Sequence, residues 1–233
     1  MYKQALEGSL SFKKGLQAIK YKLDFYKNNP DYFRPEGLLV FCGPQGSGKT
    51  LSAVQYVKKV LEDFPKCKLV TNVDILGLSE EIEVIEYTGI ECLTNIENEQ
   101  NGVIYFIDEI HLEFNSLESK NVDIEVMIEI SQQRKQRKHI VGTSQVYGRM
   151  AKPLREQIKN AVLCKNFFGI LQKNQLIDGD NTVEKDGHIE TDKVKNYWFF
   201  HTPDLYSCYD TYKKMKRYKN EWKGKKREVL KIC

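Results

Sequence analysis

The stretch GPQGSGKT, residues 43–50, constrains the fold of this chain more than any other segment. It directly follows LLVFC, residues 38–42, and a short continuous apolar run bounded by turn residues is typical of a buried strand. The next segment, 49–64, has apolar residues at helical spacing and ends before Pro65. A buried strand, a glycine-rich turn and an amphipathic helix in direct succession are typical of a parallel α/β sheet.

Further short apolar runs alternate with helical segments along the chain. A helix is predicted at 122–137, just before the run HIVGT. This alternation predicts an α/β fold with a central, mostly parallel sheet and helices on both faces. The other predicted strands are 68–73, 83–87, 103–107, 139–143, 160–171 and 196–200.

The chain divides by pattern into three parts. Residues 1–36 form a lead segment whose apolar side chains recur at helical spacing, and residues 37–203 form the α/β domain. Residues 204–233 form a terminal helix or an extended basic tail. Within the central part, the polar segment 172–196 carries Asp-Gly turn signals, which predicts a β-hairpin insertion projecting from the core.

Composition sets the broad class of the protein. The 233 residues are 41% hydrophobic and 29% charged, which is ordinary for a globular domain that can bury a core. No run of apolar residues is long enough to cross a membrane, and the amino terminus lacks the apolar run of a secretion signal. The six cysteines are scattered without a close pair, which favours a reducing compartment, and we expect a cytoplasmic protein.

The net charge of +4 is unevenly distributed. Residues 213–231 contain ten Lys or Arg and two Asp or Glu, a local balance of +8 that leaves the rest of the chain at −4. A basic tail on a mildly acidic body suggests a polyanionic partner such as DNA, or simply a solvated terminus.

The glycine-rich turn fits the phosphate-binding pattern G-x-x-x-x-G-K-[ST] at every position. Its glycines let backbone N–H groups curl around a phosphate, and the helix that follows directs its positive dipole end to the same place. Lys49 would reach the β- and γ-phosphates of ATP, and the Thr50 hydroxyl would ligate Mg²⁺. The alternative is a chance match in an unrelated loop. The predicted nucleotide-binding residues are Gly43, Pro44, Gln45, Gly46, Ser47, Gly48, Lys49, Thr50 and Leu51.

A second motif, VIYFIDEIH, ends a predicted strand with two acids. Asp108 is predicted to hold Mg²⁺, and Glu109 to act as the general base for an attacking water. The alternative is that the acidic pair only caps a helix. For His111 three interpretations remain open: it orients Glu109, it senses the nucleotide, or it is a hydrogen-bonded structural histidine.

The strand HIVGTSQ ends on Gln145, where the functional groups of parallel nucleotide sites gather. The strand order predicts that Gln145 neighbours the acidic strand, so that its amide could bind the γ-phosphate or orient the water. It could also be a strand-end residue that only bonds a loop. Four arginines flank this strand, and each is either a solvated or DNA-facing charge or an arginine finger acting on a neighbouring subunit. They are Arg134 and Arg137, predicted to share a helix face, and Arg149 and Arg155.

GPQGSGKT, FIDEIH and RKHIVGTSQ followed by PLRE together resemble the FtsK–HerA group of DNA-pumping ATPases, and more narrowly the phage proteins with a zonular occludens toxin (Zot)-like domain. The resemblance covers roughly residues 37–171, with YDTY at 209–212 similar to the close of such domains. It implies a P-loop NTPase fold of the RecA/FtsK–HerA type, Gln145 as the sensor, and Arg137 as the preferred finger, followed by Arg134 and Arg155. Members of the Zot-like branch usually continue into a membrane-spanning helix, which this chain lacks.

The leading prediction is a viral or prophage ATPase that translocates or packages DNA as a homo-oligomeric ring. Its partners would be DNA, expected to be duplex and bound without sequence preference, and a capsid, portal or membrane assembly protein. The alternatives are a helicase-like ATPase, since DEIH matches a DExH box, and a Zot-like assembly or secretion ATPase that moves a phage protein–DNA complex or a protein. A small-molecule kinase fits less well, because a second acid suits water activation.

Overall fold

The computed structural model describes residues 11–114, 124–179, 183–185, 188–190 and 193–209. The chain forms two compact units, Met1–Tyr32 and Phe33–Cys233. The predicted basic tail at 213–231 lies outside the described residues.

The first unit contains one long helix, α1 (Phe12–Asn28), which buries none of its residues. At its carboxyl end the rings of Phe25 and Tyr32 meet edge to face at 4.9 Å, and Asn29 Nδ2 donates to the carbonyl oxygen of Phe25. The apolar side chains at helical spacing, such as Leu16 and Ile19, are more than half exposed. Among the described residues, no helix is both long and apolar enough to cross a membrane.

The second unit is built on an eight-stranded sheet. Six strands run parallel, in the order β6, β1, β5, β4, β2, β3, and two antiparallel strands extend the β6 edge in the order β7, β10. This confirms the predicted mostly parallel sheet. The strands are β1 (Leu38–Cys42), β2 (Lys68–Thr71), β3 (Val84–Glu86), β4 (Val103–Ile107), β5 (Lys138–Ser144), β6 (Ile158–Phe167), β7 (Leu171–Asp178), β8 (Val183–Lys185), β9 (His188–Glu190) and β10 (Lys193–Phe200).

Helices cover both faces of the sheet, as predicted. The main one, α2 (Lys49–Asp63), buries Val54, Val57 and Leu61 against one face, and this spacing of three or four residues explains why the segment is an amphipathic helix. The opposite face of the sheet packs against a second cluster of buried apolar side chains. The other helices of the unit are α3 (Cys92–Asn95), α4 (Ile124–Gln132), α5 (Lys152–Arg155) and α6 (Pro203–Tyr206), with 3₁₀ turns at Glu99–Asn101, Ile110–Leu112 and Tyr147–Arg149.

Two expectations on the β6 side of the sheet are wrong. The strand predicted at 160–171 is interrupted by a turn, because Phe168 and Gly169 adopt left-handed backbone conformations with φ of 56° and 72°. The segment 172–196 does not project as one hairpin, since residues 172–178 belong to β7 and residues 193–196 to β10, both within the central sheet. Only β8 and β9 form a separate small hairpin. The polar residues of this segment predict an exposed hairpin, but Gln172 and Asn174 of β7 are fully buried.

The helix predicted at 122–137 is also too long. In the described residues α4 ends at Gln132 and is followed by a turn in which the Lys138 N–H donates to the Gln133 carbonyl oxygen. Arg137 closes this turn with φ of 56°. Arg134 and Arg137 therefore do not share a helix face, and the expectation that they do is wrong.

Candidate nucleotide-binding and hydrolysis site

The sequence motifs converge at one edge of the sheet, where β1, β4 and β5 end. β5 lies between β1 and β4 and pairs in parallel with both. The ends of three parallel strands therefore bring together the glycine-rich turn after β1, the acids after β4 and Gln145 after β5. This is the edge at which open α/β sheets bind ligands.

The glycine-rich turn is held in a fixed shape by its neighbours. Gly43 N–H donates to the Ser144 carbonyl oxygen at 3.2 Å, and Ser47 N–H donates to the Pro44 carbonyl oxygen at 3.1 Å. Gly48 has φ of 78°, and a Cβ there would overlap the Gln172 side chain, so that no other residue fits. The Ser47 hydroxyl is buried and has no hydrogen-bond partner among the described residues. A cradle with an unsatisfied hydroxyl fits a phosphate group.

Thr50 and Asp108, the two predicted Mg²⁺ ligands, lie side by side. The Thr50 hydroxyl donates to Asp108 Oδ1 at 3.0 Å, and the Thr143 hydroxyl donates to the same oxygen at 2.5 Å. Burial raises the pKa of the Asp108 carboxyl above its usual range, while the two hydroxyl hydrogen bonds oppose that shift. A bound cation would favour the charged form of this carboxyl group. Thr50 and Asp108 therefore fit a site for Mg²⁺ shared with phosphate oxygens.

Glu109 occupies a strained backbone position. Its φ of 53° lies in the left-handed region, which costs a non-glycine residue on the order of 1 kcal/mol or more. The conformation is held by the Glu109 N–H, which donates to the Thr143 hydroxyl at 2.8 Å. Thr143 thus bridges the backbone of one acid and the carboxylate of the other. The strained turn directs the Glu109 side chain back toward the glycine-rich turn.

The Glu109 carboxylate contacts three of the residues selected from the sequence. Oε1 lies 3.2 Å from Lys49 Nζ and accepts from Gln145 Nε2 at 3.4 Å, and Oε2 lies 3.2 Å from His111 Nδ1. The His111 contact is close but lacks hydrogen-bond geometry, so that Oε2 is buried without a hydrogen-bond partner among the described residues. A buried carboxylate oxygen with one lone-pair face unused can accept a proton from water.

His111 is buried behind Glu109, on the 3₁₀ turn that follows it. Its Nδ1 lies 3.3 Å from the Ser144 hydroxyl as well as near Glu109. The position next to Glu109 favours an orienting role among the interpretations considered from the sequence, and that role stays a prediction.

The candidate arginines lie elsewhere. Arg134 and Arg137 precede the amino end of β5, and Arg155 precedes the amino end of β6. A seven-residue strand spans roughly 20 Å, so that these arginines belong to the edge of the sheet opposite the P-loop. Arg137 Nη1 donates to the Phe33 carbonyl oxygen at 3.5 Å, and Arg155 Nε is buried without a hydrogen-bond partner in the described residues. Arg149 alone follows the carboxyl end of a strand, in the 3₁₀ turn after β5.

Sequence reasoning missed several residues that shape the site. Asn72, which follows β2, accepts from the Asp108 N–H at 2.9 Å and donates to the Asp108 carbonyl oxygen at 3.2 Å. For Thr143, the sequence predicts only a position in a strand and not its contacts with Asp108 and Glu109. The polar ends of the runs KLVTN and HIVGT carried a signal for both residues, since polar side chains at the ends of parallel strands meet at one edge.

A second group of missed residues reaches the glycine-rich turn from β7. Gln172 Nε2 donates to the Ser47 carbonyl oxygen at 3.0 Å and to Asn174 Oδ1 at 2.9 Å. Gln172 Oε1 lies 3.1 Å from His201 Nε2. Asn174 also accepts from the Ser52 hydroxyl on α2 at 3.3 Å. No local motif marks these residues, because a strand pairing more than 100 residues away in sequence brings them to the turn.

Comparisons with known proteins bear on the fold and the family of the chain. The N-terminal domain of zonular occludens toxin from Neisseria meningitidis has the same fold, with a TM-score of 0.50 and 16% identity over 75% of this chain and 98% of that one. The genome-packaging NTPase B204 of Sulfolobus turreted icosahedral virus 2 aligns with a TM-score of 0.49 and 12% identity, over 67% of this chain and 97% of its own. A search of curated protein sequences finds no significant match. The family model for zonular occludens toxin (Zot) matches residues 38–216, and the chain therefore belongs to the Zot family.

Proposed function

We propose that this protein is an ATPase that moves DNA, acting as a ring in which one subunit supplies an arginine to the next. The observation that carries the hydrolase part is the Lys49–Glu109 ion pair, 3.2 Å long, beside the Thr50–Asp108 pair at a P-loop. These contacts support Lys49 as the phosphate-binding cation, Thr50 and Asp108 as the cation ligands and Glu109 as the general base.

ATP binding would exchange the partner of Lys49. The Lys49 ammonium is paired with Glu109 Oε1, and a γ-phosphate carries more negative charge than a carboxylate. The phosphate would draw Lys49 away and free the Glu109 carboxylate. Mg²⁺, when bound, would neutralise charge on the phosphates beside Thr50 and Asp108. Glu109 and a γ-phosphate would therefore compete for Lys49.

Hydrolysis would then use the freed carboxylate. Glu109 accepts a proton from a water whose oxygen attacks the γ-phosphorus, and the bond to the bridging oxygen of ADP breaks, releasing phosphate. Gln145 lies within reach of Glu109 Oε1, so that its amide can orient the water or bind a γ-phosphate oxygen without changing the charge of the site. His111 and the Thr143 bridge would hold Glu109 in place.

The positions of the arginines support an arrangement with more than one subunit. Arg134, Arg137 and Arg155 lie at the sheet edge opposite the P-loop, so that any of them could complete a site only from a neighbouring subunit. Arg149 follows β5 on the P-loop edge and is a further candidate. A mixing experiment tests this: Arg137→Ala or Arg149→Ala subunits added to inactive Lys49→Ala subunits should restore activity only if the arginine acts across the interface.

The assignment of DNA as cargo rests on the +8 balance of residues 213–231 and on the resemblance to DNA-pumping ATPases. We further propose action in the cytoplasm, beside a capsid, portal or membrane assembly protein. The decisive experiment measures the ATPase rate with and without DNA, together with the native mass of the same sample. We expect a rate that rises with DNA in an oligomer, and an unchanged rate in a confirmed oligomer would contradict a DNA motor.

A second candidate follows from the Zot family match over residues 38–216, since the sequence also fits an assembly or secretion ATPase whose cargo includes a phage protein. Stimulation of the ATPase by a co-purified protein, in nuclease-treated samples that no longer respond to DNA, would favour this second function.

A further inference from the structure

The antiparallel extension of the sheet presents an exposed face that carries both aromatic rings and lysines. Six outward-pointing residues define this aromatic–lysine face: Lys165, Phe167, Leu171, Lys173, Trp198 and Phe200. Lys165 pairs across the strands with Lys173 and Lys173 with Trp198, while Phe167 pairs with Leu171 and Leu171 with Phe200. The residues therefore form two adjacent rows across β6, β7 and β10.

The side chains of this face contact one another and leave their rings open. Phe167 and Trp198 stack with ring centroids 5.8 Å apart and planes inclined by 22°. Lys165 Nζ lies 5.1 Å from the centre of the Phe167 ring, and Lys173 Nζ lies 5.1 Å from that of Trp198. Trp198 is 51% exposed and Phe200 is 67% exposed. Burying such rings would gain free energy, and their exposure marks a surface that binds a partner.

The chemistry of the face selects among partners. None of the outward-pointing positions of β6 and β7, or of β10 from Asn196 onward, carries a carboxylate. Two copies of the face packed against each other would bring lysines together without acids to pair them. An acidic peptide would use the lysines and leave the rings without a specific partner. A single strand of nucleic acid offers unpaired bases to stack on the rings and phosphates for the ammonium groups, whereas a duplex keeps its base faces stacked inside.

We propose that the aromatic–lysine face binds single-stranded DNA. This deepens the proposed function, on which the choice of DNA over RNA rests, and for this surface it replaces the duplex expected from the sequence with a single strand. Stacking on aromatic side chains tolerates any base, so that binding would be independent of sequence and weakened by salt.

The face also adjoins the nucleotide site. β6 runs four residues past Leu163, which pairs with the last residue of β1, so that Lys165 and Phe167 extend beyond the start of the glycine-rich turn. On β7, Lys173 points to the face while its neighbours Gln172 and Asn174 point the opposite way, toward the turn and α2. A nucleic-acid strand bound on this face would therefore lie on the opposite side of β7 from the Ser47 carbonyl oxygen.

Tryptophan fluorescence tests the proposal directly. The chain has two tryptophans, and Trp222→Phe leaves Trp198 as the only one. In nucleotide-free protein, we expect a 20-residue oligo(dT) to quench Trp198 fluorescence and to bind at least tenfold more tightly than a 20-base-pair duplex at the same salt. Equal affinity for the duplex, or binding without quenching, would overturn the proposal. Tighter binding of oligo(rU) would overturn the choice of DNA.

Variants distinguish stacking from charge. Trp198→Leu with Phe200→Leu should lower the affinity for oligo(dT) at least tenfold, as should Lys165→Gln with Lys173→Gln. The charge-matched control, Lys59→Gln with Lys135→Gln on exposed positions outside β6, β7 and β10, should change it less than twofold. If the aromatic variant instead dissociates an oligomer while oligo(dT) affinity is unchanged, the face is a contact between copies and the proposal fails.

The proposed function and the proposed DNA-binding surface can be rejected separately. Oligo(dT) binding that persists in a protein without any ATPase activity would reject the proposed function and leave this surface standing. ATPase activity stimulated by DNA in the Trp198→Leu, Phe200→Leu variant as in the natural protein would reject the surface alone.

Discussion

The two ends of β5 use polar side chains in opposite ways. At the amino end, Lys138 is buried and its ammonium donates to the Leu93 carbonyl oxygen at 2.7 Å, and His139 Nδ1 donates to the Gly37 carbonyl oxygen at 2.7 Å. At the carboxyl end, Thr143 and Gln145 contact two acids, one of which has a strained backbone and an unpaired oxygen. Polar side chains whose hydrogen bonds are all made stabilise the fold, and a buried oxygen without a hydrogen-bond partner in the described residues is available for chemistry.

The positive charge before β5, at residues 134–138, partly serves to hold the fold. The run RKQRK looks like a functional cluster in sequence, yet in the structure Lys138 and Arg137 both donate to backbone carbonyl oxygens. The P-loop edge instead combines two acids and neutral amides with Lys49. Substitutions at the two ends should therefore separate activity from stability.

The largest effect is expected at the carboxyl end, for Glu109→Gln. Removing the general base should lower kcat about a thousandfold. ATP binding should persist or tighten, because Lys49 loses the carboxylate that competes with phosphate. Single-turnover hydrolysis and equilibrium binding of a fluorescent ATP analogue measure the two quantities. Glu156→Gln, on the exposed end of α5, is the matched control, and retained turnover in Glu109→Gln would remove Glu109 from the role of base.

A smaller effect is expected for Gln145→Ala. Loss of one neutral donor to the water or the γ-phosphate should lower kcat about a hundredfold while the free energy of unfolding changes little. Gln132→Ala, at the exposed end of α4, provides a control with the same change in side chain. A loss of stability that accounts for the loss of activity would show instead that Gln145 only holds a loop.

The amino end should respond to pH through His139. Burial lowers the pKa of this imidazole to about 4, whereas the unfolded chain titrates near the usual value of about 6.5. The unfolded state binds the proton first as pH falls, so that stability is complete above about pH 6.5 and is lost progressively toward pH 4. Between pH 7.5 and 5.0, the natural protein should lose about 2 kcal/mol more than His139→Gln in urea unfolding. Equal losses would contradict this.

The smallest effect is expected for Gln172, which contacts the glycine-rich turn from β7. Gln172→Leu removes the donor to the Ser47 carbonyl oxygen and should raise the KM for ATP about tenfold, since one buried hydrogen bond contributes about 1.5 kcal/mol or less. Gln175→Leu, on the same strand but facing away, is the control. The kcat should hardly change in either variant. An equal rise of KM in both would indicate that β7 supports the turn only through the general stability of the sheet.

Much of the site is predictable because its chemistry is local in sequence. A phosphate cradle needs consecutive glycines and a lysine in one turn, and a cation ligand followed by a base needs two adjacent acids after a strand. The alternation of helices and strands predicts a parallel sheet whose strand ends meet at one edge, and Gln145 and Glu109 do lie together at that edge. The turn at Phe168 and the end of α4 at Gln132 were not, because backbone reversal at Phe168 and Arg137 uses residues that rarely adopt positive φ.

The sequence by itself determined the parallel α/β fold, the glycine-rich turn and the acids of the site, because hydrophobic periodicity and short motifs encode contacts between residues close in the chain. The tertiary structure adds that Gln172 contacts the glycine-rich turn and that Phe167 and Trp198 share one exposed face. These facts depend on the pairing of β6, β7 and β10 and on burial. Register across a sheet is set by the packing of the whole unit, and no local pattern records it.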